Sequence, residues 1–338
     1  MRLIAMKCTQ CGAALPPRSR WSVIDCSYCH ARMVLDGSSI VLREEYRGGL
    51  ARAEEARASK SNCRIGDASY RLEAGHARGE SSDVYAGWRC PPLPEAVVVK
   101  ALRSPEDAAR LDREHETLTA LRKSSARGSE YYSRLIPAPV ARAAIRGGAA
   151  DGRQALVLRR LAGFVDTLAD AAPETKRDPR HSVWIWKRLL ETLDWAHRCG
   201  FVHAAVTPRH ALIHARDHGV ALVGWGSAAA PGARLAEAWS ADEAFYPASV
   251  LSGAPLDART DLVMAARCAA FSLTGNPGDV GSDLPKPLEK VLTPWVAGDG
   301  KGAADAWALH ETVDAAAREA FGPPKYVELK TPAWRDHG

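Results

Sequence analysis

Apolar positions along the chain change spacing several times, and each change predicts an element. Between Phe201 and Trp225 two short apolar runs, Ala211-Leu212-Ile213 and Val220-Ala221-Leu222-Val223, flank His214-Ala215-Arg216-Asp217-His218-Gly219. Short runs joined by a segment ending Asp-His-Gly predict a β-hairpin. Upstream, Ser182–Cys199 places Leu189, Leu193 and Ala196 on one face, the spacing of a long amphipathic helix. Asp107–Lys123 repeats that pattern with Leu111, Leu118 and Leu121. Residues 41–62 break the pattern: they are polar and mixed in charge, with Gly48-Gly49 and Ser59–Asn62 as joints and 51–60 as a short solvated helix.

Composition narrows the class. The 338 residues, 46% hydrophobic and 25% charged, suit a two-lobed globular unit with a small appendage. No run of 18 uncharged apolar residues predicts a membrane span, and the first eight residues are too short an apolar segment for a secretory signal. A net charge of +5, spread along the chain, makes a weak case for nucleic acid. Abundant Ala and Arg point to a high-GC bacterial source. Of the eight cysteines, four are scattered singly and four form two close pairs, which argues against a disulfide framework and for a reducing cytoplasmic location.

The pairs are Cys8/Cys11 and Cys26/Cys29, two Cys-x-x-Cys units separated by 14 residues. Each spacer lets both thiolates of a pair reach one tetrahedral ion, so these four are the expected ligands of a structural Zn²⁺. Gly12 allows the turn of the first knuckle, and the second must form without glycine. His30 is surplus to a filled four-cysteine shell. Metal must supply much of the folding energy of so small a module. Trp21 and Tyr28 with Arg18, Arg20 and Arg32 could stack on and neutralise nucleic acid, but a protein-contact or bracing role is preferred.

The loop before the hairpin, Val202-His203-Ala204-Ala205-Val206-Thr207-Pro208-Arg209-His210, together with Gly224-Trp225-Gly226, resembles the catalytic and metal-binding loops of the protein kinase superfamily, H-R-D-x-K-P-x-N and D-F-G. The resemblance runs from Ile65 over about 260 residues. It implies an α+β, bilobal protein-kinase-like fold preceded by a small zinc-ribbon domain. The implied division is 1–40 ribbon, 41–62 linker, 63–161 smaller lobe, 162–325 larger lobe and 326–338 tail.

It also implies roles. Val97-Val98-Val99-Lys100 resembles V-A-I-K, and Glu114 (Glu116 as fallback) stands where the helix glutamate pairs with that lysine. The glycine-rich loop aligns on Val84; of its three glycines only Gly79 is kept, with Ala77 and Ser82 at the others and Glu80 near the tip. Lys100, Glu114, Gly79 and Val84 are thus the implied nucleotide-pocket residues, with Leu158 as gatekeeper. Asp261 matches the buried aspartate that fixes the catalytic loop.

The reacting groups are missing. Ala205 replaces the catalytic Asp, Thr207 the substrate-side Lys, His210 the magnesium-binding Asn, and Gly224 the D-F-G Asp. Losing a general base alone costs about 10²–10⁴-fold in rate, and here both metal ligands go with it. Asp217 and Asp242 do not stand as replacements, and His210 and His214 read as core or surface histidines ahead of metal ligands. The expectation is a pseudokinase, not an enzyme: a protein-interaction or allosteric signalling module. Any ATP would bind without Mg²⁺. A nucleotide sensor without turnover and an atypical transferase with relocated groups are the alternatives. Ribbon-plus-kinase chains resemble bacterial signalling components working with von Willebrand A-type or phosphatase-type partners, so a protein partner is expected and a membrane is not.

Overall fold

The computed structural model describes residues 8, 10–11, 13, 23–26, 28–29, 31–36, 39–42, 62–90, 94–300, 303 and 305–332. Gly12, Arg18, Arg20, Trp21, His30 and the helix expected over 51–60 lie outside the described residues, as does the Arg32 side chain. The chain divides into unit 1, residues 1–122 and 137–162, and unit 2, residues 123–136 and 163–338.

Unit 1 contains two sheets. The first is antiparallel, β1 (Val23–Asp25), β2 (Arg32–Asp36) and β3 (Ser39–Leu42), in that order. It runs two residues past the expected ribbon boundary at 40. The second closes into a barrel from β4 (Asn62–Ile65), β5 (Ala68–Arg78), β6 (Ser82–Arg89), β7 (Glu95–Leu102), β8 (Ala138–Arg146) and β9 (Gln154–Arg159), in the order β4-β5-β6-β7-β9-β8. Closure depends on β4, which pairs with β5 and with β8 and so leaves no free edge. Alternate residues fill the interior: Cys63 and Ile65 from β4, Val97, Val99 and Ala101 from β7, Ala155 and Val157 from β9. Between β7 and β8 lies helix α1 (Ala108–Lys123), whose Leu111, Leu118, Leu121 and Glu114 are buried. Ser104 caps the 3₁₀ turn that leads into it.

Unit 2 is mainly helical. After the short α2 (Ser129–Tyr132) come β10 (Asp166–Thr167), α3 (Leu168–Thr175), α4 (Pro179–Arg198), β11 (Ala211–His214), β12 (Gly219–Leu222), α5 (Ala248–Leu251), α6 (Ala258–Thr274), α7 (Lys286–Ala297) and α8 (Ala306–Phe321). Helix α4 starts three residues before the apolar stripe suggests, because Asp178 caps it and Pro179 takes the first turn. It is the central rod, packing against α6 and α8. Segment 123–136 belongs here for visible reasons. Trp195 Nε1 donates to Ser129 Oγ at 2.9 Å, Tyr132 stacks on Trp195 at 6.1 Å, and Leu222 N–H donates to Leu135 O.

The predicted hairpin forms as β11–β12, with Ala211 opposite Leu222 and His214 opposite Gly219. In its turn His218 takes the left-handed conformation, at φ +50°. Gly219 serves another end: a Cβ there would sit 3.2 Å from Phe164 Cζ and 3.3 Å from His214 Cβ, so glycine makes room for packing. Among the described residues no helix is long and apolar enough to cross a membrane.

Candidate functional site

The four cysteines converge. Cys8, Cys11, Cys26 and Cys29 bring their sulfurs within 4.8 Å of one another. The pairs Cys8–Cys29 and Cys11–Cys26 are 3.6 Å apart, close to the edge of about 3.8 Å that a tetrahedron of 2.3 Å Zn–S bonds requires. Disulfide bonds are far shorter. The knuckles match: Cys8 N–H donates to Ala13 O, and Cys26 N–H to Ala31 O, so the second turn closes as the first does. Burial pushes the Cys8 and Cys29 thiols up, Cys29 strongly. Burial opposes ionisation of Cys26 too, yet the N–H groups of Cys29 and Tyr28, together with the Cys11 and Cys29 side chains, outweigh it and bring this thiol down to about 7. Four sulfurs crowded around one point, with N–H donors aimed at them, can bind a metal ion.

Elsewhere in unit 1, β6–β7 pairing sets Val84 opposite Lys100. The Lys100 ammonium pairs with Glu114, whose side chain is 3% exposed. One Glu114 oxygen, Oε1, is buried without a hydrogen-bond partner, as is Ser82 Oγ. Gly79, Glu80 and Ser81 form the turn between β5 and β6, closed by Gly79 N–H to Ser82 O at 2.9 Å. Glu80 does not stand open at the tip: its carboxylate pairs with Arg110 of α1. Arg103 donates to Gly79 O at 2.8 Å, to Glu80 O, and to Asp83 at 3.2 Å. The loop tip is thus tied to the barrel and α1 by two arginines that sequence reasoning passed over. The only available signal was that both lie within one strand-to-helix crossing. Leu158 is buried in β9.

Unit 2 carries the loop between α4 and β11. Asp261, fully buried near the start of α6, accepts from His203 N–H and Ala204 N–H, each at 2.8 Å, and meets His197 Nε2 at 2.8 Å. That grip holds Ala204 at φ +54°, a conformation alanine rarely adopts. His203 Nε2 donates to Val223 O at 3.1 Å and its Nδ1 accepts from Ala205 N–H, an arrangement that needs the Nε2–H tautomer. Trp225 packs edge-on against His203 with centroids 4.4 Å apart and bonds to Leu222 O.

At the four degenerate positions the space is filled. Ala205 is fully buried, and Thr207 is buried with Oγ1 unpartnered. His210 Nδ1 donates to Ala205 O at 2.8 Å. Gly224 adopts φ +80°, and a Cβ on it would fall 2.5 Å from His210 Nε2 and Cδ2. The imidazole therefore occupies the volume that any side chain at 224 would need. His210 and Gly224 form one packing unit. Between Phe201 and Gly226 the sole carboxylate is Asp217, which sits at the hairpin turn 3.4 Å from His214. Asp242 is buried in a 3₁₀ turn. The loop offers no pair of carboxylates for a divalent ion.

A closed-barrel unit with a Lys–Glu pair, and a helical unit whose aspartate clamps a His-containing loop, define a mixed α and β protein with a protein-kinase fold. A solved structure makes the same point: ROP2 from Toxoplasma gondii, described as a virulence factor with a protein-kinase fold and no enzymatic activity. It superposes with TM-score 0.58 at 11% identity, over 82% of this chain and 90% of that one. Altogether 1931 solved chains match. No family model matches the sequence, and no curated protein does.

Proposed function

We propose that this protein is a catalytically inactive pseudokinase that works as a protein-interaction or allosteric module, with a structural Zn²⁺ held by Cys8, Cys11, Cys26 and Cys29 in an N-terminal ribbon. The observation that carries the first half is the His210–Gly224 packing. Phosphoryl transfer is almost entirely positioned metal and electrostatics, and the ring of His210 fills the place from which a metal ligand would act. The absence of activity stated for ROP2 runs in the same direction. The sulfur spacing supports zinc over a redox pair.

One observation favours a second reading, a nucleotide sensor without turnover. Lys100 remains paired with Glu114, the arrangement that would receive phosphates. Calorimetric titration of ATP, with magnesium and then with magnesium chelated, separates the two. No heat in either case supports the interaction module, and metal-independent binding lost in Lys100→Ala supports the sensor. Magnesium-dependent ATP hydrolysis abolished by Lys100→Ala would refute both.

A further inference from the structure

The first cysteine knuckle is bonded to the end of the barrel. Gln10 lies between Cys8 and Cys11, and its side-chain amide donates to the backbone carbonyl of Ala162 at 2.5 Å. Ala162 also packs against the buried set of Cys8, Cys26 and Met33. This residue lies just beyond β9, whose pairing ends with Arg160 N–H donating to Ala96 O at 3.1 Å. A carbonyl past the end of a strand has no partner in the ladder and must find one elsewhere. Here the donor comes from 152 positions away in sequence.

We propose that the ribbon is a metal-dependent clamp on residues 159–162, a stretch that includes Arg159–Leu161, which the kinase resemblance makes the hinge after the Leu158 gatekeeper. The inference rests on reading the four cysteines as a zinc site. Each knuckle is a short turn whose shape is fixed by two sulfurs on one ion. Fixing the Cys8–Cys11 turn aims the Gln10 amide at Ala162 and keeps the sulfur-and-methyl contact closed. Without the ion, four thiols have no force holding them within 4.8 Å, so Gln10 loses its aim and the strand end frays. Zinc occupancy thereby sets the rigidity of the hinge.

The test uses the full chain in three forms: zinc-loaded, chelator-stripped, and zinc-loaded Gln10→Ala. Native mass spectrometry counts the metal, and hydrogen exchange is followed in the peptide covering 156–162. Stripping is expected to speed exchange of the Arg160 amide. Gln10→Ala, with all four cysteines intact, is expected to keep wild-type zinc stoichiometry and exchange there about fivefold faster, the worth of one net hydrogen bond. Unchanged exchange in a zinc-loaded Gln10→Ala protein would overturn the clamp while leaving the zinc site standing. A wild-type chain that binds no zinc would overturn the zinc reading and the clamp with it.

Discussion

Two charged residues at the heart of the two units have fared differently. In unit 1, Lys100 keeps its ion pair with Glu114, a contact a kinase would use on phosphates. In unit 2, Asp261 keeps its grip on the 203–204 backbone, but the side chains that grip would present are a methyl, a buried threonine, an imidazole and a glycine. The lysine pair has both a structural and a chemical reason to persist. Asp261 has only a structural one, because two buried N–H groups and a positive-φ alanine depend on it. Its hydrogen bonds to buried N–H groups are costly to lose whatever side chains the loop presents.

The sharpest break of that comparison is Asp261→Ala. Two buried N–H donors lose their acceptor, and His197 loses its partner. The expected loss is about 4 kcal/mol of stability, read in a denaturant melt. A loss under about 1 kcal/mol would mean the frame does not depend on this carboxylate. Gly224→Asp, which installs the aspartate that the kinase resemblance expects there, should come next, at about 2–4 kcal/mol, from overpacking against His210 and from a left-handed backbone. His210→Asn in the same chain should return at least about 1 kcal/mol of that, a coupling visible in a double-mutant cycle. Additive effects would deny that the two positions form one packing unit.

Lys100→Ala should cost less, about 2 kcal/mol. It strands a Glu114 that is nearly buried, but Lys100 itself is 21% exposed and water can enter. Adding Glu114→Gln should recover most of the loss, since an amide can be buried more cheaply than a lone carboxylate. If Lys100→Ala proved costlier than Asp261→Ala, the contrast between the two units would reverse.

Much of this was legible in the sequence because it is written in periodicity and spacing. The α4 and α1 stripes, the hairpin and the paired cysteines each follow from local pattern. What escaped needed three dimensions. Strand β4 is four residues beside a polar stretch, so Cys63 and Ile65 gave too short an alternation to be read. Glu80 looked like an exposed charge until Arg110 closed on it. The fit of His210 against Gly224 joins positions 14 apart through a hairpin, and no propensity at either residue announces it.

The smallest effect is the pH response, and it belongs to unit 2. His181, His214 and His218 are all pushed below the ordinary value of 6.5, in each case chiefly by burial. Asp178 and Asp217 pull back on His181 and His214, and Arg188 adds to the depression at His218. Such groups are taken up neutral on folding, so the unfolded chain binds protons first. Their contribution is complete above about pH 6.5 and is lost as pH falls through the depressed folded values. The part that should loosen is the carboxyl-terminal segment. Ring stacking joins Trp184 to His218 at 4.5 Å and His218 to Tyr326 at 4.6 Å, while His218 Nε2 donates to Val327 O at 2.8 Å. Protonating His218 desolvates a charge inside that stack. Hydrogen exchange over 323–332 should therefore rise between pH 7.5 and 5, once corrected for intrinsic rates, and His218→Phe should flatten the rise. A rise that survives in His218→Phe would assign the response to His181 or His214, and an equal rise in the barrel strands of unit 1 would show that acid acts on the whole chain and not on this histidine set.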